Sequence, residues 1–197
     1  MSKCVILKDD FLGIENLCGI DVAYSGDDAY CALALFDYRT MELKEVRVRR
    51  TKVRFPYVPT FLALREFEAM APLARALSSD SDILLVDGHG ILHPRKMGLA
   101  SYIGLKLNRV TIGVAKTRLC GELKGAPRNV GDSAEVVCDG EVRGYALKTS
   151  SSNRFIYISP GHRISLGTSL RIVKESTSKR FPEPLRVAHL SAKKALL

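Results

Sequence analysis

The order in which the hydrophobic pattern changes along the chain most constrains its fold. Strand-like apolar segments cover 17–24, 31–36 and 46–53, and a short polar turn joins each to the next. In the third segment valine and threonine interleave with arginine and lysine, so we expect a half-buried strand with a basic outer face. Three consecutive strands joined by short turns predict an antiparallel meander.

After this meander the period changes to strands that alternate with helices. Apolar residues from Phe61 to Ala74 recur at helical spacing, and Pro72 is expected to bend or restart that helix. The remaining strand and helix patterns lie at 83–86, 98–107, 110–116, 134–138, 143–148, 154–159, 165–175 and 184–197. This order predicts an α/β fold with a mixed sheet flanked by helices, in one domain that covers 1–197. A ribonuclease-H-like layout fits it.

The net charge and the cysteine content limit the classes to which this protein can belong. Lys and Arg total 30 against 21 for Asp and Glu, a formal net charge of +9. This excess permits a polyanionic partner such as nucleic acid, and it equally fits a solvated basic surface. The 5 cysteines are scattered without a C-x-x-C pair, as is typical of core residues in a reducing cytoplasm. No signal peptide or membrane-spanning run is evident, so we expect a soluble cytoplasmic protein.

Two aspartates occupy unusual positions on strands. Asp21 lies inside the first apolar strand, and Asp87 ends the segment ILLVD. A buried carboxylate is costly unless it is paired, and two on one sheet suggest ligands for a hard cation. Glu66 lies on an apolar flank of the predicted helix with no basic neighbour one turn away. These acids fit metal-assisted phosphodiester hydrolysis, with hydrogen-bonded structural acids as the alternative.

The histidines allow several interpretations. His89 and His93 are four residues apart, a zinc-binding spacing on a helix, but the glycines and proline around them argue against a helix. His162 follows a strand and a predicted Pro-Gly turn, which fits helix entry or a phosphate contact as well as catalysis. His189, on the last helix, fits an ordinary surface or core histidine when it is taken alone.

Six segments together resemble the endonuclease V family of deoxyinosine-specific repair nucleases. They are GIDVAYSG, RFPYVPTFLALREF, ILLVDGHGILHPRKMGLASYIG, TIGVAKTRLCG, IYISPGH and FPEPLRVAH, and they occur in the family's order. The resemblance covers most of 18–190. It implies a ribonuclease-H-like fold and an endonuclease for inosine-containing nucleic acid that depends on Mg²⁺, for which Mn²⁺ can substitute.

The resemblance also assigns roles to particular residues. It implies that Asp21 and Asp87 bind the metal and that Glu66 completes the acidic site. Lys116 matches the family's lysine after the TIGVA strand, and His189 matches its late histidine near the metal. All of these residues are therefore expected to take part in catalysis.

Substrate recognition is implied for two further groups. Tyr57, between Pro56 and Pro59, matches the aromatic wedge that enters the duplex beside the lesion, although Thr60 stands where the family usually has glycine. Small residues match the hypoxanthine pocket, where walls without side chains and bare backbone amides would suit a flat flipped base. These pocket residues are Gly88, Gly90, Gly113, Ala115 and Leu119.

Three functions remain open at the level of the sequence. The first is a repair endonuclease for deoxyinosine that nicks the second phosphodiester 3′ to the lesion and leaves a 3′-hydroxyl and a 5′-phosphate. The second is an inosine-specific endoribonuclease, since the 2′-hydroxyl contacts that distinguish RNA cannot be read from the sequence. The third is a non-catalytic nucleic-acid-binding protein. In each case we expect a monomer with no membrane partner.

Overall fold

The computed structural model describes residues 2–53, 62–77 and 82–197. Its strands are β1 (Asn16–Ser25), β2 (Asp28–Asp37), β3 (Leu43–Lys52), β4 (Asp82–Asp87), β5 (Thr111–Ala115), β6 (Glu122–Lys124), β7 (Ser133–Cys138), β8 (Glu141–Lys148) and β9 (Phe155–His162). Its helices are α1 (Leu62–Arg75), α2 (Leu99–Leu107), α3 (Leu166–Glu175) and α4 (Glu183–Lys194), with a 3₁₀ turn at Ser2–Cys4. None of these helices is long and apolar enough to cross a membrane.

The described strands form one mixed sheet in the order β3-β2-β1-β4-β5-β9-β8-β7-β6. The antiparallel pairing of β1 with β2 and of β2 with β3 confirms the predicted meander. β4 runs parallel to β1, and β5 runs parallel to β4, so the C-terminal ends of all three lie at one edge. We call this the carboxyl edge. The predicted ribonuclease-H-like mixed sheet is therefore confirmed.

The β1 side chains alternate between the two faces of the sheet, as a strand covered on both faces requires. Cys18 and Ile20 pack with α1 and α2. Leu17 packs on the other face, with residues of α3 and α4 such as Ile172 and Leu185. The tips of the central strands therefore emerge between two helical layers.

Two predictions about local structure were wrong, and a third was wrong in one of its alternatives. β3 is an edge strand rather than a half-buried one, and its Val46 and Val48 are 37% and 46% exposed. The helix does not restart at Pro72, because α1 continues through that residue, and the alternative that Pro72 bends α1 stays a prediction. β9 also continues through the expected Pro-Gly turn to His162, because pairing with β5 accommodates Pro160 beside a register shift.

Candidate active site

Strand register brings the two predicted metal-binding aspartates together. Ile20 of β1 pairs with Val86 of β4, so the next residues, Asp21 and Asp87, lie side by side at the carboxyl edge. Both carboxylates are partly buried, with 14% and 17% of their side chains exposed. One ligand atom from each, together with one from His189, falls in a group whose members lie within 4.8 Å of one another. We call Asp21, Asp87 and His189 the edge cluster.

His189 enters the edge cluster from α4. Its Nδ1 lies 2.6 Å from Oδ2 of Asp21. The approach of α4 depends on Gly19, because a Cβ atom there would lie 2.2 Å from the carbonyl carbon and oxygen of Pro184. The bare backbone of β1 therefore lets the first turn of α4 lie directly against the strand, two residues before Asp21. This contact fixes the height of His189 along the strand.

Lys116, which directly follows β5, contacts the edge cluster. Its Nζ lies 2.5 Å from Oδ2 of Asp87, so the lysine places a positive charge on the second aspartate. The same Nζ lies 4.8 Å from the ring centroid of Phe181, just before α4. Lys116 therefore stands between the acids and the loop that leads into α4.

Glu66 lies near the edge cluster but outside its tight group of ligand atoms. Burial raises the pKa of this carboxyl to about 8, and the charges of Asp21 and Asp87 add to the effect. Within the described ranges, the Glu66 side chain has no hydrogen bond or ion pair. Helix α1 thus brings a third carboxyl to the aspartates without supplying it with a cation.

The charge balance of this site fits a divalent cation. Burial raises the pKa of Asp21, the charge of Asp87 raises it further, and the hydrogen bond from His189 opposes both. The carboxyls of Asp21 and Asp87 lie here with Glu66 nearby, and Lys116 contacts one of the three, Asp87. A hard divalent ion with oxygen ligands would offset the excess negative charge. The donor set therefore suits a metal such as magnesium or manganese.

The expected base pocket is more closed than the sequence indicated. Gly90, Gly113 and Ala115 are buried, Gly88 is half-buried, and Leu119 is exposed. A Cβ on Gly90 would lie 2.0 Å from the Pro160 carbonyl oxygen, and one on Gly113 would lie 2.3 Å from the Gly90 nitrogen. These glycines therefore permit backbone-to-backbone packing.

The backbone N–H of Gly90 also has a partner. It donates to Oγ of Ser159 over 2.9 Å, so the expectation of a bare amide at this position was wrong. The assignment of the pocket to a flipped base remains a prediction. The predicted wedge, Pro56, Tyr57 and Pro59, lies outside the described residues, as does Thr60.

Two other histidines act as structural anchors. His89 is buried, and its Nε2 hydrogen-bonds to the carbonyl oxygen of Thr117 at 2.8 Å, which ties the turn after Asp87 to the segment after β5. His162 is buried in β9, and its Nδ1 accepts a hydrogen bond from the Ile6 backbone N–H. The predicted phosphate contact or helix entry at His162 was therefore wrong.

Sequence reasoning missed a cavity of about 580 Å³ beside the edge cluster. Lys116 and His189 line it together with residues from the loop between β8 and β9 and from the start of α4. These segments are separated along the chain, and the pairing of β9 with both β5 and β8 brings them to one place. We call this space the β8–β9 cavity.

The whole chain has well-defined relatives. The family model for endonuclease V matches residues 1–190. Endonuclease V of Thermofilum pendens is 43% identical over 192 residues, which are 95% of this chain and 82% of the relative. The crystal structure of endonuclease V from Bacillus subtilis has a TM-score of 0.89 and 30% identity, over 99% of this chain and 87% of that one.

A third relative was crystallised with nucleic acid. Ciona intestinalis endonuclease V, in complex with a 24mer DNA containing an inosine followed by a ribo-adenosine, has a TM-score of 0.84 and 27% identity. The match covers 99% of this chain and 92% of the Ciona chain. Fold and sequence agree over nearly the full length in these comparisons. The chain therefore belongs to the endonuclease V family of nucleases.

Proposed function

We propose that this protein is a divalent-metal-dependent endonuclease that recognises deoxyinosine and cuts the second phosphodiester 3′ to it. The cut would leave a 3′-hydroxyl and a 5′-phosphate, with the damaged base still attached. The observation that carries the proposal is the edge cluster of Asp21, Asp87 and His189, with Lys116 bound to Asp87. Acids that converge on one point suit attack on a phosphodiester.

The metal would be held by Asp21 and Asp87, and Glu66 would complete the site. We assign Mg²⁺ as the ion, with Mn²⁺ as a substitute, because carboxylate oxygens suit both. When bound, such an ion supplies positive charge at the reacting phosphodiester. Glu66 must lose its proton to join the site, and the positive charge lowers the pKa that burial and the aspartates have raised.

Lys116 and His189 would act on charge and protons. Lys116 stands at the border of the edge cluster, where its ammonium can stabilise negative charge that develops on the phosphate. His189 orients the Asp21 carboxylate through Nδ1. Its Nε2 is then the nitrogen through which the ring can take up or release a proton.

Inosine-containing DNA is the proposed partner, and RNA is the second candidate. The Ciona relative was crystallised in complex with a DNA in which a ribo-adenosine follows the inosine, so a 2′-hydroxyl is present next to the inosine in that complex. This observation favours testing an inosine-specific endoribonuclease activity as well. We further propose that residues 1–197 act as a single catalytic domain and as a monomer.

A nicking assay on matched strands tests the function. Strands with deoxyinosine, inosine in RNA, uracil or an abasic site are incubated with Mg²⁺, Mn²⁺ or EDTA, and products are mapped on a sequencing gel. We expect one nick, offset to the 3′ side of inosine, in Mg²⁺ or Mn²⁺ and none in EDTA. Release of free hypoxanthine in EDTA would instead identify a glycosylase and contradict the proposal.

A further inference from the structure

The β8–β9 cavity has the charge of an anion site. Lys116, Arg154, Arg180 and Arg186 line it, and none of its described lining residues is acidic. Arg186 forms an ion pair with Glu183, and Lys116 forms one with Asp87. Across 2–53, 62–77 and 82–197, neither Arg154 nor Arg180 forms an ion pair, and both are exposed. Two guanidinium groups are therefore available to an external anion.

The loops that form the cavity are linked to each other. Oγ1 of Thr149, after β8, donates to the Arg180 carbonyl oxygen over 2.9 Å. Oγ of Ser150 lies 2.8 Å from Oγ of Ser152 in the same loop. The first hydrogen bond joins the loop that carries Arg154 to the segment that carries Arg180. The cavity is thus built from two tethered segments and not from unconnected surface side chains.

The cavity also offers an aromatic surface. Phe181 lines it, and the ammonium of Lys116 lies over that ring. Nucleotide bases stack on aromatic side chains in proteins that bind single strands. Arginine binds phosphate through paired N–H donors. Arginines beside an aromatic ring therefore match a nucleotide better than they match a simple anion.

The position of the cavity relates it to the cut. It is lined by His189 of the edge cluster and by Lys116, which contacts Asp87 of that cluster, so a strand whose scissile phosphate lies at the cluster can continue directly into the cavity. The cavity lies on the α4 side of the strand tips, since Arg180, Phe181 and Arg186 line it. The turn that follows Asp87 leads instead to α2, on the opposite face. The two sides of the scissile phosphate thus have different surroundings.

We infer that the β8–β9 cavity binds the nucleotide immediately 3′ to the cut. Arg154 and Arg180 would hold the first phosphate beyond the scissile one, and Phe181 would contact the base. This inference rests on the proposed function, because it assumes that the edge cluster cuts a nucleic acid strand. It adds a binding site on the strand that leaves as the 5′-phosphate product.

Neutralising that single phosphate tests the inference. Nicking is measured on an inosine strand and on the same strand with a methylphosphonate at the first position beyond the scissile phosphate. Arg154→Ala and Arg180→Ala should each raise KM about tenfold on the normal strand, with kcat within about twofold and a shallower salt dependence. On the methylphosphonate strand the KM of the wild type should rise by the same factor. The KM of each variant should rise little further, because the phosphate charge that its arginine contacts is already absent.

Arg39→Ala is the matched control. Arg39 is exposed and follows β2 at the edge of the sheet opposite the edge cluster, so this change removes the same charge at a distance. KM should stay within about twofold of the wild type on both strands. The KM of Arg180→Lys should lie between that of the wild type and that of Arg180→Ala. Unchanged thermal melting of all variants would show that they remain folded.

The outcomes separate this inference from the proposed function. One outcome is that the wild type nicks inosine strands while the methylphosphonate raises KM by the same factor for the wild type and for the arginine variants. In that case the cavity assignment is wrong and the proposed function stands. If the wild type nicks no inosine strand, binding of a 5′-phosphorylated dinucleotide is followed by fluorescence anisotropy. Loss of that binding in Arg154→Ala and Arg180→Ala supports the cavity site, and equal binding in all proteins overturns it.

Discussion

Carboxyl groups at the carboxyl edge and at the opposite ends of the same strands have opposite electrostatic environments. Asp37, at the end of β2, forms an ion pair with Lys44, and this contact with nearby backbone N–H donors lowers the pKa of Asp37 to about 2. Glu66, near the carboxyl edge, has a pKa raised to about 8 by burial and by two neighbouring aspartates. Among the described residues, Asp37 is paired with a cation and Glu66 is not.

The difference shows where the described part of the chain holds more carboxyl groups than basic partners. Acids outside this site, such as Asp28, Glu45 and Glu141, have pKa values lowered by hydrogen bonds from arginine or lysine. At the carboxyl edge the strand register forces Asp21 next to Asp87, and α1 adds Glu66. This repulsion lowers the stability of the metal-free protein, and it favours a cation from solution.

The largest effect is expected when an acid of the edge cluster is removed. Asp87→Ala or Asp21→Ala should reduce nicking by about a thousandfold or more, because the metal loses a ligand. Binding of an inosine strand should stay within roughly tenfold, since the basic surface remains. Single-turnover nicking and fluorescence anisotropy measure the two quantities. Appreciable Mg²⁺-dependent nicking by either variant would remove that residue from the site.

A smaller effect is expected for the two basic groups of the site. Lys116→Met and His189→Ala should lower kcat by about a hundredfold, the range found when one charge-stabilising donor is lost. KM should change little. A large rise in KM with normal kcat would reassign these residues to substrate positioning.

Removing the Glu66 charge should alter how stability depends on pH. The folded-state pKa of about 8 lies above the usual value of 4.5, so this carboxyl stabilises the fold fully below pH 4.5. Its contribution is lost as pH rises through 8. In EDTA the melting temperature of the wild type should therefore fall between pH 5 and 9 by ~5 °C more than that of Glu66→Gln. Parallel pH curves from differential scanning calorimetry would contradict the assigned environment.

The smallest effect is expected at the opposite edge. The pKa of Asp37 is lowered from 3.8 to about 2, so its stabilising effect is present above pH 3.8 and lost as pH falls through 2. Asp37→Asn should leave nicking within about twofold of the wild type at neutral pH. A loss comparable to that of Asp87→Ala would show that the two edges do not differ as described.

The sequence predicted those features that depend on a few neighbouring residues. Asp21 and Asp87 could be selected as candidate metal ligands because each carboxylate lies in or at the end of an apolar strand, and the change from meander to alternation predicted the sheet. The roles of Gly90 and His162 could not be read, since Gly90 contacts Pro160 and His162 contacts Ile6, both distant along the chain. The β8–β9 cavity was missed for the same reason, because tertiary pairing alone assembles it.

The contact of Gly19 with Pro184 has a consequence for the timing of site assembly. Because β1 and α4 meet backbone to backbone, a side chain at residue 19 would have to push the helix away from the strand. The strand and the helix therefore move together, and Asp21 and His189 keep their relative position before any substrate arrives. The entropy of bringing them together is lost once, during folding, and not in every turnover. Gly19 has no side chain and contributes no ligand, yet its size determines whether His189 reaches Asp21.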